Sequence, residues 1–293
     1  MKRGVHMTKL AEIIDFLEKK APAETAEVWD NVGLLADAGN KETDTVCVAL
    51  DATAAAIDFS AKRGAKLLVT HHPVIFHPLK RLSPYPPAVA ALTKGVSVLS
   101  LHTNLDKAAG GVNDTLAALL GLCDVTTLPD GMTRVGRLPT AKTAADFAKD
   151  VAAALSASVA FCGDGTVETV AVCGGGAGDG VFSLPTGVDA YVTGEMKHHE
   201  FLAAREMGLC ARCGGALCDR GAGDLYTGKM AAGSISRTDG GGVCGHRTVY
   251  GNRGLKQWLW TDCIFPACAG RSKKRFWACA RTKFRSPRAK SFS

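Results

Sequence analysis

The sequence has no apolar run of about eighteen residues, the length that a transmembrane helix needs, so we expect none among its 293 residues. Its first residues, M-K-R-G-V-H-M-T-K-L-A-E, turn polar and charged almost at once and lack the apolar stretch of a signal peptide. Charged residues make up only 22% and hydrophobic residues 46%, which excludes disorder by composition and allows a sizeable core. We therefore expect a cytoplasmic, globular protein without a membrane partner.

Glutamate is absent from residues 210–293, and the composition of this segment differs from that of the rest. The segment holds 16 Lys and Arg against four Asp, a net charge of +12, whereas residues 1–209 carry −5. Seven of the 11 cysteines and three of the four tryptophans also lie in it. Basic blocks can bind nucleic acid, but the acidic body argues against such a partner. A zinc module is disfavoured because the later gaps are irregular among Cys210, Cys213, Cys218, Cys244 and His246.

Strand-like and helix-like patterns alternate before residue 210. Apolar runs predict strands at 45–50, 66–70, 96–101, 167–173 and 188–193. Helical periods fall at 8–19 (with Thr8 as N-cap), 53–63, 87–94, 112–121, 142–156 and 196–207. This alternation favours βαβ units. We expect an α/β fold of two lobes with mostly parallel sheets, at 1–125 and 126–209, and an irregular tail at 210–293 that is not a native domain.

Polar residues collect where the predicted strands end, which is where open α/β sheets bind ligands. Thr70-His71-His72-Pro73 leaves one strand, and His102-Thr103-Asn104-Leu105-Asp106 leaves the next, while Asp51 ends a third. Imidazoles suit zinc, iron and nickel, and a carboxylate can join two ions. We predict that His71, His72 and Asp106 are metal ligands and that His102 and Asn104 support them by hydrogen bonds. The alternative is polar residues that only cap the strand ends and loops.

Three further groups carry weaker signals. Glu195 follows a strand as Asp51 does, and we place it among the residues that support the site. His198 and His199 are adjacent on a helix and diverge by about 100°, so we interpret them as a solvated face. Trp29, in W-D-N-V-G-L-L, is interpreted as a core or interface anchor rather than a platform for substrate.

Several motifs together resemble the Nif-three-like dinuclear-metal family, also known as GTP cyclohydrolase I type 2 homologues. They are W-D-N-V-G-L-L, T-H-H-P, H-T-N-L-D with G-G-V-N-D behind it, V-G-R-L-P and Y-V-T-G-E-M-K-H-H, all within residues 8–209. The resemblance implies two α/β lobes that face a metal-containing cleft and a homohexamer. It carries the family's metal ligands over to His71, His72 and Asp106, and implies two divalent ions, which would be zinc, iron, manganese or nickel.

One motif of that family, a C-terminal G-H-x-x-T-E that supplies a further His and Glu, is missing after Leu209. The segment Gly214 to Ala222 can be back-translated so that a one-base shift reads Ala-Gly-His-Tyr-Ala-Thr-Glu-Ala. We therefore predict that the chain from about residue 210 is a frame-shifted reading.

Two functions remain open from the sequence. The first is a metal-dependent hydrolase of a nucleotide or another phosphorylated small molecule, similar to a GTP cyclohydrolase. The second is a non-enzymatic hexamer that binds metal and acts as a regulatory or scaffold protein. No separate nucleophile or general base distinguishes them.

Overall fold

The computed structural model describes residues 7–84, 86–155, 157–213 and 247–250. In this part, two large β-sheets carry helices on both faces, which confirms the predicted α/β class. The strands are β1 (Thr8–Lys9), β2 (Gly33–Ala36), β3 (Glu42–Thr43), β4 (Thr45–Ala49), β5 (Leu67–Thr70), β6 (Ser97–Ser100), β7 (Cys123–Thr127), β8 (Arg134–Thr143), β9 (Ala160–Phe161), β10 (Thr166–Cys173), β11 (Ala190–Thr193), β12 (Cys210–Cys213) and β13 (Arg247–Tyr250). The helices are α1 (Leu10–Glu18), α2 (Ala54–Lys62), α3 (Pro87–Thr93), α4 (Thr103–Lys107), α5 (Val112–Leu119), α6 (Ala144–Leu155) and α7 (His198–Glu206).

The first sheet has the strand order β13-β4-β5-β6-β2. Its central strands β4, β5 and β6 are parallel, and the outer strands β13 and β2 are antiparallel to their neighbours. Successive side chains of a strand point to opposite faces. Val46 and Val48 therefore pack under α1, while Cys47 faces α2 and α3.

Helix α1 follows its predicted apolar period, and its structure corrects one detail. Leu10, Ile13 and Leu17 are buried against the first sheet, and each such side chain contributes about 1.5–3 kcal/mol by leaving water. Thr8, however, is not the N-cap. It lies in β1, which pairs with β3, so its backbone is held in a strand while Lys9 occupies the cap position without a side-chain hydrogen bond.

The second sheet has the order β7-β8-β10-β11-β12-β9. Strands β10, β11 and β12 are parallel, and the other neighbours are antiparallel. Helices α5 and α6 cover one face, and α7 covers the other together with a 3₁₀ turn at Gly178–Ser183. Helix α5 thus packs on the second sheet, although it precedes the predicted lobe boundary at residue 125.

Arg134 in β8 connects the second sheet to helices α4 and α5. Its guanidinium is almost wholly buried, forms an ion pair with Asp114 of α5 and donates to the carbonyl oxygen of Lys107 at 3.0 Å. Asn113 adds a second connection: its Nδ2 donates to the carbonyl oxygen of Asp106 at 3.3 Å, and its Oδ1 accepts the backbone N–H of Gly174 at 2.7 Å. Helix α4, which carries the predicted ligand Asp106, is therefore fixed to the second sheet.

Two short strands come from the segment predicted to be aberrant. Strand β12 extends the second sheet beyond residue 209, and β13 adds to the edge of the first. The remainder of the predicted tail, residues 214–246 and 251–293, lies outside the described residues, as do the cysteine and histidine positions considered there for zinc beyond Cys213. Among the described helices, none combines the length and apolarity needed to cross a membrane.

Candidate metal centre

The register of the first sheet places the polar strand ends side by side. In the parallel pair β4–β5, Ala49 lies opposite Thr70, so two residues further on Asp51 comes beside His72. In the pair β5–β6, Thr70 lies opposite Ser100, which brings His102 beside His72 in the same way. The carboxyl edge of three parallel strands therefore gathers these side chains, as predicted for an open α/β sheet.

Three histidine rings form a compact cluster at this edge. One ring nitrogen from each of His71, His72 and His102 lies within 4.8 Å of those of the other two. The ring centroids are 5.2 Å apart for His71 and His72, 5.2 Å for His71 and His102, and 5.8 Å for His72 and His102. His102 was expected only to support the ligands by hydrogen bonds, yet one of its ring nitrogens belongs to the same close group as those of the two predicted ligands.

The carboxylate of Asp106 joins the cluster from α4. Its Oδ1 lies 3.2 Å from Nε2 of His71, and both side chains are largely buried. The other ring nitrogen of His71, Nδ1, is buried and has no hydrogen-bond partner among the described residues. A buried polar atom without a partner costs about 1–3 kcal/mol. Imidazoles beside a carboxylate and an unsatisfied nitrogen are what a transition-metal site requires, so the donor set fits a divalent ion.

Asp51 fixes the orientation of His72. Its Oδ1 lies 2.7 Å from Nδ1 of His72. This hydrogen bond lowers the pKa of Asp51 and outweighs the opposing effect of burial. Because an ionised carboxylate only accepts, Nδ1 of His72 carries the proton and Nε2 is the nitrogen suited to a metal.

Asp30 holds His102 in the same manner, but from a distant part of the chain. Its side chain is fully buried, and Oδ1 lies 2.9 Å from Nδ1 of His102. Burial raises the pKa of Asp30, but hydrogen bonds from the side chains of Thr103 and His102 and from the backbone of Thr103 outweigh it, so the net shift is downward. Strand β2 runs antiparallel to β6, with Gly33 opposite Ser100, and this register brings Asp30 to the residues after β6.

Asn104, predicted as a supporting residue, acts on the backbone and not on a ligand side chain. Its Oδ1 accepts the backbone N–H of His102 at 2.8 Å, and its Nδ2 donates to the carbonyl oxygen of Ala21 at 2.8 Å. The side chain is fully buried. It therefore sets the path of the chain as it leaves β6.

The other residues singled out in the sequence are not members of the histidine cluster. Glu195 follows β11 and is exposed at the edge of the second sheet, near Gly176. His198 and His199 are exposed on α7, as predicted. Trp29 is not a core residue: 61% of it is exposed, and its ring lies beside Phe76 and His102. The side chain of the neighbouring Asp30, by contrast, is fully buried.

Comparison with known proteins gives the same family for most of the chain. The family model Duf34/NIF3 (NGG1p interacting factor 3) matches residues 8–215. A Streptomyces coelicolor protein named GTP cyclohydrolase 1 type 2 homolog is 36% identical, over 68% of this chain and 76% of its own. Saccharomyces cerevisiae NGG1-interacting factor 3 is 31% identical, over 71% of this chain and 85% of its own.

Solved structures agree on the fold. The crystal structure of a Staphylococcus aureus hypothetical protein superposes with a TM-score of 0.65 and 26% identity, over 70% of this chain and 85% of its own. The histidine cluster, the α/β fold with two large sheets and the match over residues 8–215 all agree with one assignment: the chain belongs to the Duf34/NIF3 family.

Proposed function

We propose that the chain is a metal-dependent hydrolase that acts on a nucleotide or another phosphorylated small molecule. The observation that carries this proposal is the convergence of His71, His72 and His102 with the buried carboxylate of Asp106 at one sheet edge. The name of the Streptomyces relative, GTP cyclohydrolase 1 type 2 homolog, points to a nucleotide. Hydrolysis of phosphate and amide-like bonds is the chemistry for which paired divalent ions are used.

In this proposal, His71, His72 and Asp106 hold two divalent ions (zinc, iron, manganese or nickel). The ions supply Lewis-acid chemistry when bound. Asp51 and Asp30 hold the proton on Nδ1 of His72 and His102, which orients Nε2 of each ring. Asn104 fixes the backbone of His102. Glu195, exposed after β11 of the second sheet, is kept as a proposed supporting residue.

Metal content and turnover test this function together. The full chain is stripped with a chelator, reloaded with zinc, manganese or iron, analysed for ions per chain and offered a panel of nucleotides. We expect His71→Ala and Asp106→Asn each to lower metal affinity at least tenfold, a loss of the size found for metal-site substitutions, and to abolish turnover. His198→Ala, on the exposed face of α7, is the matched control and should change neither. Full turnover after either ligand substitution would refute the proposal.

The second candidate is a non-enzymatic protein that binds metal and regulates or supports a partner. The name of the yeast relative, NGG1-interacting factor 3, describes an interaction and favours this function. The same experiment separates the two, because a chain that retains stoichiometric metal but turns over no nucleotide would be the second kind.

We also propose that copies of the chain form a homohexamer, supported by the family that it belongs to. Light scattering of the full chain should give about six times the 30.6 kDa chain mass, and a stable monomer at micromolar concentration would contradict the assembly.

A further inference from the structure

Two exposed aromatic rings stand at the edge of the histidine cluster. Trp29 is 61% exposed and Phe76 is 42% exposed. Their ring centroids are 6.0 Å apart, and each lies close to the imidazole of His102, at 6.2 Å for Trp29 and 6.4 Å for Phe76. Large aromatic side chains stabilise a fold chiefly by burial. These two side chains are instead substantially exposed, and both border the histidine cluster.

The segments that carry these rings are held in place by polar contacts. Next to Trp29, the carboxylate of Asp30 is buried against His102 and Thr103. The side-chain amide of Asn31 donates to the carbonyl oxygen of Ile75 at 2.6 Å, which ties the two ring-bearing segments together. The rings therefore project from backbone that is fixed before any ligand arrives, as a preformed binding surface requires.

The chemistry of this surface suits a flat ring. Aromatic side chains bind planar bases by stacking, and Trp offers the largest face for this. A ring stacked on Trp29 or Phe76 would lie within reach of the imidazoles, because His102 borders both aromatic rings. We propose that Trp29 and Phe76 form the subsite for a planar, nitrogen-containing heteroaromatic ring of the substrate. This inference rests on the proposed hydrolase function and assigns its substrate class.

Binding measurements on the zinc-loaded full chain test the subsite. The probes are GTP, which carries such a ring, and inorganic tripolyphosphate, which does not. Wild type should bind GTP more tightly than tripolyphosphate. Trp29→Ala should weaken GTP binding about tenfold, the size of one base–aromatic contact, and leave tripolyphosphate binding and zinc content unchanged. Phe76→Ala should act in the same direction.

Two further variants control the experiment. Trp29→Phe keeps a stacking face and should restore most of the affinity for GTP. Phe182→Ala removes a comparably exposed ring, 55% exposed, from the 3₁₀ turn on the second sheet and should bind GTP as wild type does.

Three results would overturn the subsite. They are equal affinity of wild type for the two probes, unchanged GTP affinity in both Trp29→Ala and Phe76→Ala, and a Trp29→Ala chain that changes its oligomeric size while its preference for GTP stays intact. The last result would make Trp29 a subunit contact. Failure of the hydrolase function gives a different result. If binding of GTP over tripolyphosphate depends on Trp29 but no nucleotide is turned over, the subsite stands and the enzyme is rejected. If nucleotide is turned over and Trp29→Ala changes neither turnover nor GTP affinity, the enzyme stands and the subsite is rejected.

Discussion

The side chain of Asn104 connects the end of β6 to the loop after α1, and both of its partners are backbone groups. We expect Asn104→Ala to lower the free energy of unfolding by about 2–4 kcal/mol, because the part-buried N–H of His102 and the buried carbonyl of Ala21 each lose their partner. Asn40→Ala is the control, since Asn40 makes similar bonds to backbone carbonyls in a half-exposed loop, and it should cost less than about 1 kcal/mol. Urea denaturation measures both, and equal losses would contradict the role given to burial.

Single residues could be predicted from the sequence where their own neighbours carry the signal. His71 and His72 follow an apolar strand directly, and Asp106 follows the next strand, so the linear pattern predicts that they lie close together at one sheet edge. Asp30 gave no such signal. It sits in a turn-like W-D-N run, and its partner His102 is 72 positions away, so only the antiparallel register of β2 and β6 joins them. The position of His102 within the cluster depends equally on the register between strands.

Among the elements, the junction between α4 and α5 explains one sequence motif. In G-G-V-N-D, Gly110 has a φ of +70°, and a Cβ on Gly111 would lie only 2.1 Å from the carbonyl oxygen of Leu105. The close approach of two backbone segments therefore requires glycine at this position.

We expect Gly111→Ala to destabilise the fold by about 2 kcal/mol or more, because neither backbone segment can move without disturbing α4. Since α4 carries Asp106, metal affinity should fall as well. Gly176→Ala is the control: the added Cβ would have 3.7 Å to its nearest neighbour, the carboxylate of Glu195, so it should change stability by less than about 0.5 kcal/mol. Thermal unfolding compares the two, and a Gly111→Ala chain as stable as wild type would show that the junction can open.

Elements with a regular apolar pattern were predicted to within two or three residues. Strand β8 was missed because its second half, Pro139 to Thr143, is exposed and shows no alternation. Helix α4 was missed because four of its five residues are buried, so the segment has no polar face to give a helical period. In both cases the environment of the element, which is set by distant segments, decides the structure.

At the scale of the whole molecule, the two sheets are joined by side-chain contacts that could not be predicted from the sequence. Arg134 would be read as a surface residue, yet its guanidinium donates to the carbonyl oxygens of Gly131, Met132 and Lys107 and pairs with Asp114. Such a side chain is tolerated in the interior because each of its three guanidinium nitrogens has a hydrogen-bond partner. Through these bonds, Arg134 joins the second sheet to both α4 and α5.

The match to the family model ends at residue 215, and we predict that the reading frame of the gene is shifted near this point. Residues 210–293 contain no Glu and are rich in Arg, Cys and Trp. The motif G-H-x-x-T-E, which the family resemblance places after the second lobe, is absent from the written chain. Gly214 to Ala222 can nevertheless be encoded as GGC GGG GCA CTA TGC GAC CGA GGC GCT. Read one base later, these codons give Ala-Gly-His-Tyr-Ala-Thr-Glu-Ala, which contains the motif at the place where the family has it.

We expect resequencing of the gene across the codons for residues 205–222 to reveal one inserted or deleted base. A chain expressed from the corrected frame gains a His and a Glu, and ligand number governs how tightly a site holds its ions. Its zinc affinity should therefore exceed that of the written chain by at least tenfold, a factor typical of changes in metal-site residues. The corrected chain with its new His replaced by Ala is the matched control and should return to the lower affinity. Because several codons encode most amino acids, only the nucleotide sequence of the gene can test the shift. An uninterrupted frame through these codons would show that the basic segment is genuine and would reject the shift.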